Sequence, residues 1–503
     1  MTDTVDTRAT SLGRRDVAGG VAAIFDNFLG HSPQWYKATV LGFLALNPLA
    51  LLVIGPVATG WLIVAQFLFT LAMALKCYPL MPGGLLAIQA ILLGLTNVNS
   101  VYEETVHQLP VILLITFMVS GVYFLKDFLF FALTKMILGV SNRIALAFAV
   151  CASISFFSAF LDALTILAVL VTVVTGFYEV YQRVVARHPD SPAKAAELEK
   201  FRAFLRGMLM HAAVGTAIGG VCTLVGEPEN LVIGAVAGWN FGEFFIQVAP
   251  VSLPVLAAGL VTCLVLEHFR VFGYGAEIPR GVYNILKDFD VEQERNMTHR
   301  QKMLLVTQGF VCAVLIVALA LHVAEVGLVG LAVIVLAAAL NGVNEEHKLG
   351  KAFETGLPFA SLLVVFFVIV AMIHDQHMFE PVIQWVLGMD GYFRLLMVYL
   401  SNGLLSAVSD NVFVAAIYID QINEALKAGL MTREQFDDLA VAVVMGTGIP
   451  AMATPNGQAA FLFLFTSAIA GLVQLSYGRM VWMALPYVIA TSVVAAGALD
   501  FLI

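Results

Sequence analysis

Charge is scarce in this sequence: Asp, Glu, Lys and Arg make up only 12% of its 503 residues, where a soluble domain carries about 25%. That scarcity excludes a single water-soluble core. Cysteine is thin as well. The five residues Cys77, Cys151, Cys222, Cys263 and Cys312 lie in or beside apolar segments without paired spacing, which argues against a disulfide framework or a zinc site and leaves them as packing residues. There is no basic stripe or aromatic platform, and the net charge is -9, so nucleic acid is set aside as a partner. The histidines are scattered without metal-ligand spacing, and neither a nucleophile motif nor a phosphate-binding loop is visible. An enzyme is therefore not expected, nor is a cofactor. Arg14-Arg15 precede a weakly apolar Val17 to Phe25 closed by Asp26, a poor signal-peptide core. Residues 1–37 are expected to be a retained cytoplasmic segment.

What the chain has in abundance is apolar surface: 60% of its residues are hydrophobic, and the mean hydropathy is +0.90. Stretches near 20 residues, enough to cross about 30 Å of hydrocarbon, predict an all-α polytopic membrane protein in a lipid bilayer. Eleven crossings are expected at 38–55, 57–75, 79–97, 110–126, 209–240, 246–266, 303–322, 325–343, 359–374, 438–475 and 479–502. The regions 143–181 and 393–427 each hold two short apolar arms joined at an acid, Asp162 or Asp410. Both read as re-entrant hairpins, tolerated only where protein or water surrounds them. Short amphipathic stretches at 128–140 and 379–390 suit the membrane interface. The loops Arg183 to Arg206 and Arg270 to Lys302 carry twelve of the 26 basic residues, which places both in the cytoplasm. Arg8, Arg14 and Arg15 then fall inside too, and the turn Asn97 to Gln108, with Glu103 and Glu104 but no Lys or Arg, falls outside.

An internal repeat organises the polar residues. Leu109-Pro110, Asp127, Ser158, Ala159 and Asp162 recur 248 residues later as Leu357-Pro358, Asp375, Ser406, Ala407 and Asp410. Gly215-Thr216, Thr223 and Gly226 recur 231 residues later as Gly446-Thr447, Thr454 and Gly457. By the crossing count the halves are inverted, an architecture expected of alternating access. Residues 38–302 comprise an extra first helix and the first repeat, with hairpin 143–181 and broken helix 209–240. Residues 303–503 form the second, with hairpin 393–427 and broken helix 438–475.

An ionised aspartate at a helix centre costs about 2.5 to 3.5 kcal/mol on insertion scales, so it is rarely kept without a partner or a task. Asp162 and Asp410 could serve only as helix N-caps, but Ser or Asn would cap without a charge at depth. Ser158, Thr165, Ser409 and Asn411 surround them with hard oxygen donors suited to sodium. Thr223, Gly226, Glu227 and Asn230, with the counterparts Thr454, Asn456, Gly457 and Gln458, lie where Pro and Gly should interrupt a helix and free carbonyl oxygens for a cation. A kinked packing helix is the simpler alternative there. Asp127 and Asp375 read as interface anchors. His322, Glu325 and His374 read as structural residues, and Trp35, Tyr36 and Tyr78 as interfacial aromatics.

Lys76-Cys77-Tyr78-Pro79, Phe160 to Thr165, Gly226 to Asn230, Ser409 to Phe413, Ala453 to Ala460, Ser476 to Arg479 and Leu485-Pro486 together resemble the NhaB-type sodium/proton antiporters of the bacterial inner membrane, from about Asn27 onward. The resemblance implies the ion transporter superfamily, a scaffold domain that forms a homodimer, and a transport domain holding both hairpins and both broken helices. It also implies electrogenic sodium export driven by proton entry, with a carboxylate important at the position of Asp162. Carboxylate carriers of the superfamily typically have Ser-Asn-Thr at the hairpin tips, whereas this chain has Leu161-Asp162-Ala163 and Ser409-Asp410-Asn411. The expected mechanism is competition. Burial disfavours a charged carboxylate and a sodium ion restores it, so proton and sodium exclude each other at Asp162 or Asp410. A sodium-coupled carboxylate symporter is the alternative; it would need an anion site, yet neither tip nor break holds Lys or Arg.

Overall fold

In the computed structural model the chain is helical, without a strand among the described residues, which are 20–185, 192–354, 356–378, 381, 385–386, 388–389 and 391–502. Arg8, Arg14, Arg15 and part of the interfacial stretch 379–390 lie outside the described residues. The chain opens with α1 (Gly20–Asn27), α2 (Gln34–Ile54), α3 (Pro56–Ala72), α4 (Leu80–Leu92) and α5 (Val98–His107). A first group follows: α6 (Leu109–Tyr123), α7 (Lys126–Gly139), α8 (Arg143–Ser158), α9 (Ala163–Val185), α10 (Pro192–Gly220), α11 (Pro228–Ala237) and α12 (Phe241–Phe269). Next come α13 (Arg280–Asn296), α14 (His299–Ala320), α15 (Val326–Asn341) and α16 (Glu346–Phe353). The second group has α17 (Gly356–Asp375), α18 (Gly391–Ser406), α19 (Asn411–Lys427) and α20 (Arg433–Gly448). A 3-10 turn (Pro450–Ala453) then leads to α21 (Ala459–Thr466), α22 (Ala468–Leu472) and α23 (Tyr477–Phe501).

Local chemistry sets the starts of these helices. Asn240 with Glu243, Thr298 with Gln301 and Thr432 with Gln435 form capping boxes at α12, α14 and α20, satisfying donors that a helix start leaves orphaned. Pro228 opens α11, where its missing N–H costs nothing.

Among the described residues, seven helices are long and apolar enough to cross a membrane, or eight if α5 and α6, bent by 54°, count as one. The protein is thus an all-helical polytopic membrane protein. Burial divides these helices. The apolar window of α20 is 78% buried, against 22% for α2, so α20 belongs to the interior while α2 turns Leu49, Leu52 and Val53 outward toward lipid.

Three sequence expectations differ in detail. The arm after Asp162 is one continuous helix of 23 residues, and its Ala163–Arg183 part is long enough to cross. The charged loops are largely helical, as α10 already runs from Pro192 and α13 fills Arg280–Asn296. Their Ala, Leu, Glu, Lys and Arg content is helix-forming, and α13 buries Val282 and Leu286 while Asp290 and Glu294 hold Lys135 of α7 at 2.7 and 2.6 Å. The turn Asn97 to Gln108 is likewise helical as α5, with Asn97 accepting from the N–H groups of Asn99 and Ser100 at its start.

Packing brings the two groups together in a matched way. Helix α8 lies on α10 as α18 lies on α20, and across the groups α11 lies on α19 while α21 lies on α9. Both turns that follow a hairpin's first arm therefore reach the two helix breaks.

Candidate functional site

Each hairpin turn occupies four residues, Ala159 to Asp162 between α8 and α9 and Ala407 to Asp410 between α18 and α19. Asp162 Oδ2 accepts from the Thr165 N–H at 2.9 Å and its hydroxyl at 3.1 Å. Asp410 Oδ1 accepts from the Val412 and Phe413 N–H groups at 3.0 and 3.3 Å. Both acids are helix caps. A carboxylate offers about four lone-pair positions, so capping leaves acceptor capacity for a cation.

The breaks dock on these turns. The Thr223 hydroxyl donates to the Ala159 carbonyl, and the Thr454 hydroxyl to the Ala407 carbonyl at 2.6 Å; the two contacts join the same positions in the two repeated patterns. Ser158 donates to the Thr216 carbonyl of α10 at 2.9 Å. Interrupting a helix orphans carbonyls, and Asn230 takes up two of them, donating to the Gly220 and Thr223 oxygens at 2.9 and 2.8 Å. Gln458 donates to the Gly448 carbonyl at 3.3 Å. Gly226 and Gly457 are required by close approach: a Cβ at either would lie 2.4 Å from a carbonyl oxygen, of Gly220 or Ala451 respectively.

Two of the bonds that cross between the groups lie at this centre. Gln458 donates to Glu227 Oε1 at 3.4 Å, so the charged residue of the first break meets its neutral counterpart of the second. Asn411 donates to Glu229 Oε1 at 2.6 Å. Glu229 escaped the sequence reading as a site residue, although it stands in the motif beside Glu227; its partner is 182 residues away in the chain. The structure does not draw every candidate inward. The Ser409 hydroxyl bonds back to the Leu405 carbonyl at the end of α18, and the Asn456 amide donates to the Ala72 carbonyl at the end of α3.

Electrostatically the centre is one-sided. Asp162, Glu227 and Glu229 are buried and Asp410 is half-buried. Among the described residues no ion pair joins a Lys or Arg to any of the four. The N-termini of α9, α11, α19 and α21 begin here, and their dipoles favour negative charge. Yet an uncompensated buried carboxylate remains costly. Glu229 Oε2, Asn230 Oδ1, Asn456 Oδ1 and Gln458 Oε1 are buried oxygens that no protein donor meets. Such a centre can be neutral only when protons or mobile hard cations occupy it, and oxygen is the ligand type those cations take. Asp162 also lines a small cavity with Leu114, Met118, Val225, Pro228 and Phe359.

Interrupted helices, matched helix–turn–helix segments and an oxygen-rich anionic centre inside a membrane protein define a secondary transporter of small cations. The family described as bacterial Na+/H+ antiporter B (NhaB) matches residues 18–503. Relatives named Na(+)/H(+) antiporter NhaB include one from Pseudomonas entomophila, 54% identical over 479 residues, covering 93% of this chain and 96% of the relative. One from Pseudomonas fluorescens is 55% identical over 498 residues, covering 96% and 100%. Another from Shewanella halifaxensis is 54% identical over 491 residues, covering 95% and 92%. This chain belongs to the bacterial NhaB antiporter family.

Proposed function

We propose that the chain is a secondary active Na+/H+ antiporter of the bacterial inner membrane that exports sodium as protons enter. The observation that carries this reading is the set of four central acids with no Lys or Arg ion pair among the described residues. A centre of this kind, charged and empty, is held back by its own desolvation, whereas one neutralised by protons or by sodium can be carried between the two sides. Proton and sodium therefore alternate on Asp162, Asp410 or both, with Glu227, Glu229 and the oxygens of Thr165, Thr223, Asn230, Thr454 and Gln458 tuning the ligand field. More protons entering than sodium leaving makes the exchange electrogenic, so the membrane potential adds to its driving force at about 2.3 kcal/mol per charge per 100 mV.

The architecture proposed with it has eleven crossings and two re-entrant hairpins in an inverted repeat, a cytoplasmic N-terminal segment, and a homodimer built on the helices outside the hairpins and breaks. The family relationship disfavours the carboxylate symporter, as does the absence of a basic residue at the centre. A pulse of Na+ outside proteoliposomes of the purified chain should drive proton flux detected by an enclosed pH dye. Sodium-gradient-driven uptake of succinate without sodium-dependent proton flux would reverse the assignment.

A further inference from the structure

A second polar cluster lies apart from the central acids. Glu104 of α5, His374 of α17 and Asp420 of α19 each offer a ligand atom, all within 4.8 Å of one another. His374 Nε2 and Asp420 Oδ2 are 3.2 Å apart, yet neither atom makes a hydrogen bond, although the Asp420 side chain is only 9% exposed. A buried carboxylate oxygen and an imidazole nitrogen at this distance without a shared hydrogen bond match two ligands of one ion. With metal bonds of about 2.0 to 2.2 Å, tetrahedral zinc holds its ligand atoms about 3.4 Å apart.

The geometry points to a divalent transition-metal site, of the kind Zn2+ or Co2+ takes, with one imidazole, two carboxylates and a fourth position for water. Its placement gives it a consequence. Asp375 accepts from Thr96 at 2.9 Å and Ser100 at 3.1 Å, and Gln376 donates to the Leu95 carbonyl at 2.8 Å, so the start of α5 and the end of α17 are fastened to each other. Asp420 belongs to a different helix, the one that Asp410 caps and that packs on α11 and α20 as well as on α17. A metal ion here ties that helix to α5 and α17. On the transport reading proposed above, alternate exposure of the centre requires the helix bearing Asp410 to shift against its surroundings, so the bound metal slows exchange.

Zinc binding to the purified full-length chain, measured by competition with a chromogenic chelator, tests the site independently of what the protein transports. The wild type should bind Zn2+ and give a visible Co2+ spectrum, while His374→Gln and Asp420→Asn should each weaken binding by at least about tenfold and His347→Ala should not. Each variant's elution on size exclusion establishes that it is folded, and Glu104→Gln replaces either one that is not. A wild type that does not bind, or ligand variants that bind as it does, overturns the site. In proteoliposomes Zn2+ should slow sodium-dependent proton flux through the wild type but not through His374→Gln; equal slowing, or none in the wild type with metal bound, overturns the clamp.

Discussion

Asp162→Asn is expected to abolish sodium-dependent proton movement while leaving the protein folded. The substitution separates the two roles that Asp162 combines. Asn caps a helix about as well as Asp does, so the Thr165 N–H and hydroxyl keep their acceptor and α9 keeps its start. What disappears is the charge. Losing a charged partner from a buried site costs about 3 kcal/mol or more, roughly a hundredfold or more in cation affinity. In everted vesicles, the dissipation of a preformed pH gradient on adding Na+ should fall to the level of vesicles lacking the protein. Thermal stability in detergent should stay near the wild-type value. Undiminished exchange would remove Asp162 from the mechanism, and a collapse in stability would make its charge chiefly structural.

Glu229→Gln should produce the next largest loss. Glu229 is fully buried, Asn411 donates to one of its oxygens, and the other meets no donor. Gln has the same shape but replaces a cation-attracting oxygen with an N–H2 group that repels sodium. Apparent affinity for Na+ in the vesicle assay should weaken by roughly tenfold to a hundredfold, the effect of losing about 1.4 to 2.8 kcal/mol. An unchanged affinity would mean that the Glu229–Asn411 contact only holds α11 to α19.

The positions of the hairpin turns and of the breaks were legible because they are written in residues that are expensive in a membrane. Asp162 and Asp410 stand out against apolar surroundings, and Gly226, Pro228 and Pro455 punctuate hydrophobic runs. The spacing of the repeated motifs aligns Thr223 with Thr454, and the two hydroxyls do bond to the matching carbonyls of Ala159 and Ala407. Other features left no local signal. The Asn411–Glu229 bond joins residues far apart in sequence, and sequence periodicity does not specify which helices cross. Asp420 sits in a helix that also carries Glu424 and Lys427, where one more acid reads as an exposed face, and His374 read as structural because its partners come from α5 and α19. The charged segments at the start of α10 and within α13 read as loops because their charge marks orientation, although the same residues favour helix.

The central claim is that protons and sodium compete for the same buried acids. It is tested most directly by adding NaCl, with choline chloride as the ionic-strength control, to the purified protein in weakly buffered detergent solution and following pH. Sodium should release protons from the wild type, with the release diminished in both Asp162→Asn and Asp410→Asn. Sodium binding, established in parallel by calorimetry, with no accompanying proton release at any pH across the protein's stable range would contradict the account.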